Sequence, residues 1–202
     1  MSRFDLVKDE RFSFKKDENL NSLSVILGWQ KGADLDACAF LVGQSGVIEN
    51  DANFVFFNSE NRTEPFDRLK FGNKSAWRAN TRPMSADGSV LGAHDERDGG
   101  GNEEVINVDL SKVAADVDEI LFCATIYDKD KTFGDVVGPY VSVVNDDNGE
   151  ELCRYTLNED FAGVTAVVAA SLTINEDGEW CFNAQGKGLM GGMPELVDIY
   201  AN

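Results

Sequence analysis

The chain has 202 residues and a formal net charge of −18, with 43% hydrophobic and 27% charged residues. This length and balance suit one soluble domain with a sizeable core and exclude a wholly disordered chain. A broad surface for nucleic acid or anionic lipid would need clustered Lys and Arg, so the charge argues against both and fits cation binding or simply high solubility.

The sequence also indicates a compartment. The N-terminal MSRFDLVKDERF lacks the apolar core of a signal peptide, and no apolar run reaches membrane-spanning length. The four cysteines, Cys38, Cys123, Cys153 and Cys181, are far apart and sit among apolar or strand-like neighbours without a Cys-x-x-Cys pair. We therefore expect free buried thiols in a reducing, cytoplasmic setting, with no zinc site and no direct membrane insertion.

Along the chain, most of the sequence consists of short β-rich runs separated by Gly, Asn and Asp. The run at 35–42 is almost wholly apolar, which predicts a strand covered on both faces. The run at 105–110 alternates cleanly between apolar and polar residues. The strand expected to pair with it is the hydrophobic run at 119–127. Strands are predicted at 22–28, 35–42, 53–57, 105–110, 119–127, 139–144, 151–157, 164–174 and 179–184.

Two dipeptides mark hairpins. Asn148-Gly149 and Asp177-Gly178 each separate two predicted strands, as two-residue turns do. A short helix is expected at 194–200, with Pro194 in its first turn. Nine or ten strands with almost no long helical period predict a single all-β domain over residues 1–202, a two-sheet antiparallel β-sandwich with at most short helices.

Residues 60–84 break this pattern. The segment carries six Lys or Arg residues against two Glu and one Asp. It is interpreted as an insertion, and two roles are open. One is a docking arm for a partner, which we favour because Arg and aromatic residues are enriched at interfaces. The other is structural, with the segment folding back to neutralise the acidic body. The candidate partner-binding residues are Arg62, Phe66, Arg68, Phe71, Trp77 and Arg78.

Residues 95–104, DERDGGGNEE, pack five carboxylates and one carboxamide around three consecutive glycines. Such a segment resists ordering, because like charges repel and glycines lose much backbone entropy. Calcium could order it, since this ion takes six to eight oxygen ligands in a flexible arrangement. A solvated acidic loop without a metal is the alternative.

Several motifs, in order along nearly the whole chain, resemble those of the TerD tellurite-resistance and stress-response family. The most specific is DLDACAFL at 34–41, which is similar to the family's Asp-Leu-Asp-Ala-Ser-x-Phe-Leu. The family tends to have Asp where this chain has Asn102 and Glu103. The other matching segments are LGW at 27–29, NFVFFN at 53–58, DGSV at 87–90, EEVINVDL at 103–110, TIYD at 125–128, TFG at 132–134, GEWCFNAQGKG at 178–188 and GG at 191–192.

The resemblance implies a calcium-binding β-sandwich. Asp34 and Asp36 would share one face of a strand, because side chains alternate along it. With the acidic segment in an adjacent end loop, these carboxylates could surround one or two Ca²⁺ ions. The expected ligands are Asp34, Asp36, Asp95, Asp98, Asn102 and Glu103, with Glu104 and Asp128 as second-tier candidates.

Catalysis is not indicated by the residues. His94 is the only histidine, and no nucleophile motif accompanies it. The resemblance implies a non-catalytic protein that acts through protein partners in membrane-associated stress complexes. We therefore expect a calcium-dependent interaction module. The alternative is a structural component of a homo-oligomer or larger assembly that docks through residues 60–84.

Overall fold

The computed structural model of the chain describes residues 4–14, 20–93, 102–158 and 161–202. These residues form two six-stranded sheets packed face to face. The strands are β1 Phe4–Leu6, β2 Arg11–Ser13, β3 Ser22–Gly28, β4 Leu35–Val42, β5 Phe54–Val55, β6 Val90–Leu91, β7 Glu103–Asp109, β8 Glu119–Ile126, β9 Tyr140–Asn145, β10 Glu150–Thr156, β11 Ala166–Ile174 and β12 Trp180–Leu189.

Sheet 1 has the strand order β1-β10-β9-β3-β7-β6, and sheet 2 has the order β2-β12-β11-β8-β4-β5. Except for β1, which runs parallel to β10, neighbouring strands are antiparallel.

The predicted all-β sandwich is confirmed, and β3 and β4 have the predicted bounds. Both predicted hairpins also form, because β9 pairs with β10 and β11 pairs with β12. Three short helices complete the fold: α1 Arg68–Phe71, α2 Lys74–Asn80 and α3 Gly192–Tyr200. None of the helices among the described residues is long and apolar enough to span a membrane.

One predicted pairing is wrong. Strand β7 was expected to pair with β8, its next neighbour in sequence. Instead β7 lies between β3 and β6 in sheet 1, and β8 lies between β11 and β4 in sheet 2. The connection at 110–118 crosses from one sheet to the other, because both strands carry apolar residues that the shared core must cover.

Strand β4 is covered on both faces, as predicted. Leu35 and Leu41 face the main core between the sheets. Cys38, Phe40 and Val42 face a second apolar cluster on the outer face of sheet 2. Helix α3 covers this outer cluster, with Leu196 fully buried. The C-terminal helix therefore completes a second, smaller core, which explains why β4 contains so few polar residues.

Residues 60–84 contain α1 and α2, which the sequence analysis did not predict. Asp67 and Asn73 cap the two helices by accepting hydrogen bonds from backbone N–H groups of the first turn. The segment connects β5 to β6, the outermost strands of the two sheets on one side. Met84 forms an antiparallel bridge with Leu91 of β6, so the segment adds to the edge of sheet 1.

Candidate metal centre

The C-terminal part of the acidic segment lies at the end of the sandwich where β3 leads into β4. Gly28, the last residue of β3, pairs with Glu103, the first residue of β7. Beyond this pair, Trp29 N–H donates to the Asn102 carbonyl at 2.9 Å. The Asn102 amide donates to the Gln30 carbonyl at 2.5 Å. Asn102 is therefore held against the 29–34 connection that carries Asp34.

Glu104 joins the two sheets at this end. Its Oε2 accepts a hydrogen bond from Ala37 N–H at 2.9 Å, although Glu104 belongs to sheet 1 and Ala37 to sheet 2. Strand β5 pairs with β4 only at Ala39 and Phe40, so the first half of β4 keeps an open edge for this contact. The Glu104 carboxylate therefore lies at the backbone of β4, at the residue that follows Asp36.

Glu103 points to the opposite face of β7, since side chains alternate along a strand. Its Oε1 accepts a hydrogen bond from the Tyr140 hydroxyl at 2.6 Å. Burial, and then the bond to the Glu103 carboxylate, raise the pKa of Tyr140. The two neighbouring carboxylates therefore make different contacts. Glu104 contacts β4, whereas Glu103 is held on the outer face of sheet 1.

Asp34 and Asp128 approach each other at the same end. The Asp128 Oδ2 lies 3.4 Å from Asp34 N and accepts its hydrogen bond. In the reverse direction, Tyr127 N–H donates to the Asp34 carbonyl at 3.3 Å. These two contacts continue the β4–β8 pairing by one residue beyond Leu35 and Ile126. Two like-charged residues from different connections are thus placed side by side.

The structure therefore brings Asp34, Asp36, Glu104 and Asp128 to one end of the sandwich, with Asn102 beside them. Asp95 and Asp98 lie outside the described residues, as do His94 and Glu96. Among the described residues, no three His, Cys, Asp or Glu side chains are grouped closely enough to hold a metal ion. A complete ion site at this end would need further ligands from the 94–101 segment.

The chemistry of the converging donors fits a hard cation. Carboxylate, carboxamide and backbone carbonyl oxygens are the ligands that Ca²⁺ takes, and the flexible coordination of this ion suits donors from separate connections. Copper and zinc favour His and Cys, and the four cysteines are buried elsewhere in the fold. The oxygen donors at this end are thus of the kind that calcium takes.

Two of the six candidate partner-binding residues are buried inside the 60–84 segment. Arg62 is 4% exposed and donates to backbone carbonyls of Phe57, Ser59, Arg78 and Thr81 at 2.6–3.2 Å. Trp77 is 1% exposed and donates its indole N–H to the Glu64 carbonyl at 2.7 Å. Their burial gives these two residues a structural role in the segment.

The other four candidates remain at or near the surface. Phe66 is exposed and packs edge-on against Trp77, and Arg68 lies on the exposed face of α1. Phe71 and Arg78 are half-buried. The segment also neutralises much of its own charge, because Lys70 pairs with Glu64, and Lys74 and Arg78 pair with Glu60. Three of its six basic side chains are therefore held in local ion pairs.

Tyr140 is a residue near the candidate site, on the outer face of sheet 1, that the sequence analysis did not single out. Its ring lies over Gly28, where an added Cβ would be 2.2 Å from Tyr140 Cζ. The Arg154 guanidinium stacks on the ring at 3.8 Å from its centroid. The role depends on neighbours across strands β9, β3 and β7, and no sequence motif marks it. The glycine at the end of β3, next to Trp29, is the one local sign that a bulky group crosses there.

Comparisons with known proteins identify a family, sequence relatives and a solved structure that are similar to this chain. Residues 2–200 match the model of the TerD domain. Tellurium resistance protein TerD of Alcaligenes sp is 34% identical over 197 residues, which cover 92% of this chain and 90% of that protein. General stress protein 16U of Bacillus subtilis is 33% identical over 196 residues, with the same two coverages. The crystal structure of a homologue of telluride resistance protein (TerD) from Streptomyces coelicolor has a TM-score of 0.61 at 20% identity and covers 90% of this chain and 96% of that chain.

The fold and these similarities define the class of protein: a two-sheet β-sandwich related to tellurium resistance and general stress proteins. The match over residues 2–200, together with 34% identity to curated relatives, shows that this chain belongs to the TerD domain family. The likeness to the Streptomyces structure supports the fold alone.

Proposed function

We propose that this chain is a calcium-binding, non-catalytic stress-response protein that acts in the cytoplasm as a calcium-dependent interaction module. Its relatives are named as tellurium resistance and general stress proteins, which supports the stress-response part. Calcium binding rests on one observation above all. The Glu104 carboxylate reaches across from sheet 1 to the N–H of Ala37, the residue after Asp36, at the end that also holds Asp34 and Asp128.

The proposed site uses Asp34, Asp36 and Glu104, with Asp95 and Asp98 completing the donor set. A carboxylate has two oxygens, so the bond from Ala37 to Oε2 of Glu104 is compatible with metal contact through Oε1. Bound calcium would offset the repulsion between the converging carboxylates and couple the two sheets at this end. A partner that recognises the ordered end would then bind only the calcium-loaded protein. The partners we propose are proteins, including those of membrane-associated stress complexes.

Titration calorimetry and thermal melting of the full chain, in calcium, in magnesium and in chelator, test this proposal. An ion at a hundredfold excess over its Kd stabilises the fold by about 2.7 kcal/mol, or roughly 5–10 °C in Tm for a chain of this size. A Kd above millimolar with an unmoved Tm would overturn calcium binding.

Two variants of equal charge change sharpen the test. Glu104→Gln should weaken calcium binding strongly, since it removes a charged ligand beside Asp36. Glu103→Gln is the matched control, because Glu103 faces the other side of β7 and bonds to Tyr140. Equal losses in the two variants would argue against the placement of the ion at the Glu104 side.

A panel of hydrolase assays with and without calcium tests the non-catalytic assignment. Calcium-dependent turnover that is lost in Asp36→Ala would contradict this assignment.

A second candidate function is that of an assembly component that docks through residues 60–84. The supporting observation is the exposed apolar surface at α1 and just before it, where Leu69 in the helix is 98% exposed and Phe66 is 38% exposed. Light scattering and native mass of the purified chain measure self-association. If the segment docks copies together, Leu69→Ser should reduce the assembled mass while leaving the melting curve unchanged. A monomeric wild-type chain at all concentrations would remove homo-oligomerisation as an explanation.

A further inference from the structure

Two of the four cysteines face each other across neighbouring strands. Cys38 of β4 lies directly opposite Cys123 of β8 in the antiparallel register. Directly opposite residues have Cα atoms about 4.5 or 5.5 Å apart, and a disulfide spans either distance. Both side chains belong to the apolar cluster on the outer face of sheet 2, so they point in the same direction. The pair can therefore be bridged without breaking the sheet.

The other two cysteines lack such a partner. Cys153 lies opposite Val143 in the β9–β10 pairing. Cys181 lies opposite Thr173 and Ser13 and is 3.2 Å from the Ser13 hydroxyl. All four thiols are free. The chain thus offers one pair of facing thiols and two internal controls of similar burial.

The surroundings of the pair favour a disulfide over a bound soft metal ion. The cluster around the two thiols is formed by apolar side chains such as Phe40, Leu121 and Val168. Two thiolates holding a monovalent cation would leave a net charge in this apolar site, which costs free energy, whereas a disulfide is neutral. Among the described residues, no His, Asp, Glu or further Cys is grouped with the pair closely enough to complete a metal site.

Helix α3 packs over the cluster that contains the pair. Cys38 and Cys123 are 0% and 2% exposed, and Leu196 and Tyr200 of α3 belong to or pack against the same cluster. The helix takes no part in the backbone pairing of β4, β8 and β11, the strands that carry the cluster. It can therefore lift without disturbing these strands. While α3 is docked, burial raises the pKa of Cys123, which keeps this thiol protonated and unreactive.

We propose that Cys38 and Cys123 are a modification site that closes to a reversible cross-strand disulfide when α3 lifts and admits a peroxide. The Cys123 thiol, deprotonated as it becomes solvated, attacks one oxygen of hydrogen peroxide and becomes a sulfenic acid, and the other peroxide oxygen leaves as water after taking up a proton. The second sulfur then displaces the sulfenic oxygen, which also leaves as water with the second thiol's proton. Two thiols are oxidised, one peroxide is reduced, and two water molecules are formed. A dithiol reductant reverses the bond.

Peptide mapping of the oxidised full chain tests the site. Reduced protein is treated with hydrogen peroxide, blocked with iodoacetamide and digested without reductant. The expected product is a peptide pair linked through Cys38 and Cys123 that dithiothreitol separates, while Cys153 and Cys181 are recovered alkylated. Cys38→Ser should abolish the linked pair, and the matched variant Cys181→Ser should retain it. Recovery of Cys38 and Cys123 as separate sulfinic acids, or alkylated to the same extent as Cys153, would overturn the proposal.

A second pair of variants tests the role of α3. Leu196→Ala weakens the docking of the helix and should accelerate linkage by about tenfold, because local opening becomes more frequent. Leu172→Ala is the control, since Leu172 belongs to the main core between the sheets and not to the outer cluster. If Leu172→Ala accelerates linkage as much as Leu196→Ala does, the thiols are reached by global unfolding and the gating role of α3 is refuted.

Discussion

The Tyr140 ring lies across the Cα of Gly28, and this contact links three strands of sheet 1. Gly28 pairs with Tyr140 on one side and with Glu103 on the other. Because Gly28 has no side chain, the Tyr140 hydroxyl reaches over β3 and bonds to Glu103 on β7. Glycine is therefore required at position 28, because any side chain there would occupy the space of the Tyr140 ring.

Replacing this glycine should destabilise the fold. An alanine Cβ at position 28 would lie 2.2–2.5 Å from three atoms of the Tyr140 side chain, so the ring must move and its bond to Glu103 must break. We expect Gly28→Ala to cost about 1–3 kcal/mol in urea unfolding. Gly134→Ala is the control, because its nearest contact would be 3.3 Å. The double variant Gly28→Ala/Tyr140→Ala should cost less than the sum of the single changes, and simple additivity would contradict the clash.

The ionisation of Tyr140 should depend on Glu103. Burial and the Glu103 carboxylate raise the pKa of the phenol, so the neutral tyrosine is favoured in the folded protein. Glu103→Gln removes the negative charge and should lower that pKa. The measurement is a spectrophotometric tyrosine titration, with the Tyr140→Phe variant subtracted to isolate this residue. An unchanged titration curve in Glu103→Gln would show that burial alone sets the value.

The buried guanidinium of Arg62 should be essential to the 60–84 segment. It donates to four backbone carbonyls and to the Thr81 hydroxyl, so Arg62→Met would leave several buried acceptors without donors. We expect a loss of about 3 kcal/mol, or local unfolding of α1 and α2 seen as faster hydrogen exchange. The exposed Arg68→Met serves as the control and should change the unfolding free energy by less than about 0.5 kcal/mol.

Asp87 should contribute a pH-dependent part of the stability. Burial acts to raise the pKa of this carboxyl, but hydrogen bonds from Ser85, Ser89 and Ala114 prevail and lower it below 3.8. A depressed folded pKa means that the stabilisation is complete above the ordinary value and is lost as pH falls through the lower folded value. Asp87→Asn should therefore reduce stability at neutral pH by about 1–3 kcal/mol and flatten the decline in acid, as measured by urea unfolding from pH 7 downward. A parallel decline in both proteins would contradict this role.

Local sequence patterns predicted the strands well and their partners less well. The bounds of β3 and β4 followed from apolar runs that end in turn residues, and Asn148-Gly149 and Asp177-Gly178 marked two hairpins that form. The pairing of β7 with β8 was wrong, because closeness in sequence favours a hairpin, whereas the sandwich separates the two strands into opposite sheets. Long-range register is fixed by the packing of both sheets, and a single sequence does not contain that information locally.

The helices α1 and α2 were missed because each is too short to show an apolar period. Their capping residues, Asp67 and Asn73, were the available signal, together with Gly72 between them at φ +76°. At the candidate site, the strand was predicted to begin at 105, which left Glu103 and Glu104 in a loop. The strand begins at Glu103, and alternation then sends the two carboxylates to different faces.

The course of residues 60–84 also limits how copies of this protein could add to one another. Met84 bridges to Leu91 of β6, and the Ser59 hydroxyl bonds to the Phe54 carbonyl and Phe56 N–H next to β5. Several backbone groups on this flank of the sandwich are thus already matched within one molecule. Fewer of them are left to pair with a second copy, which discourages strand-to-strand growth into fibres from this edge.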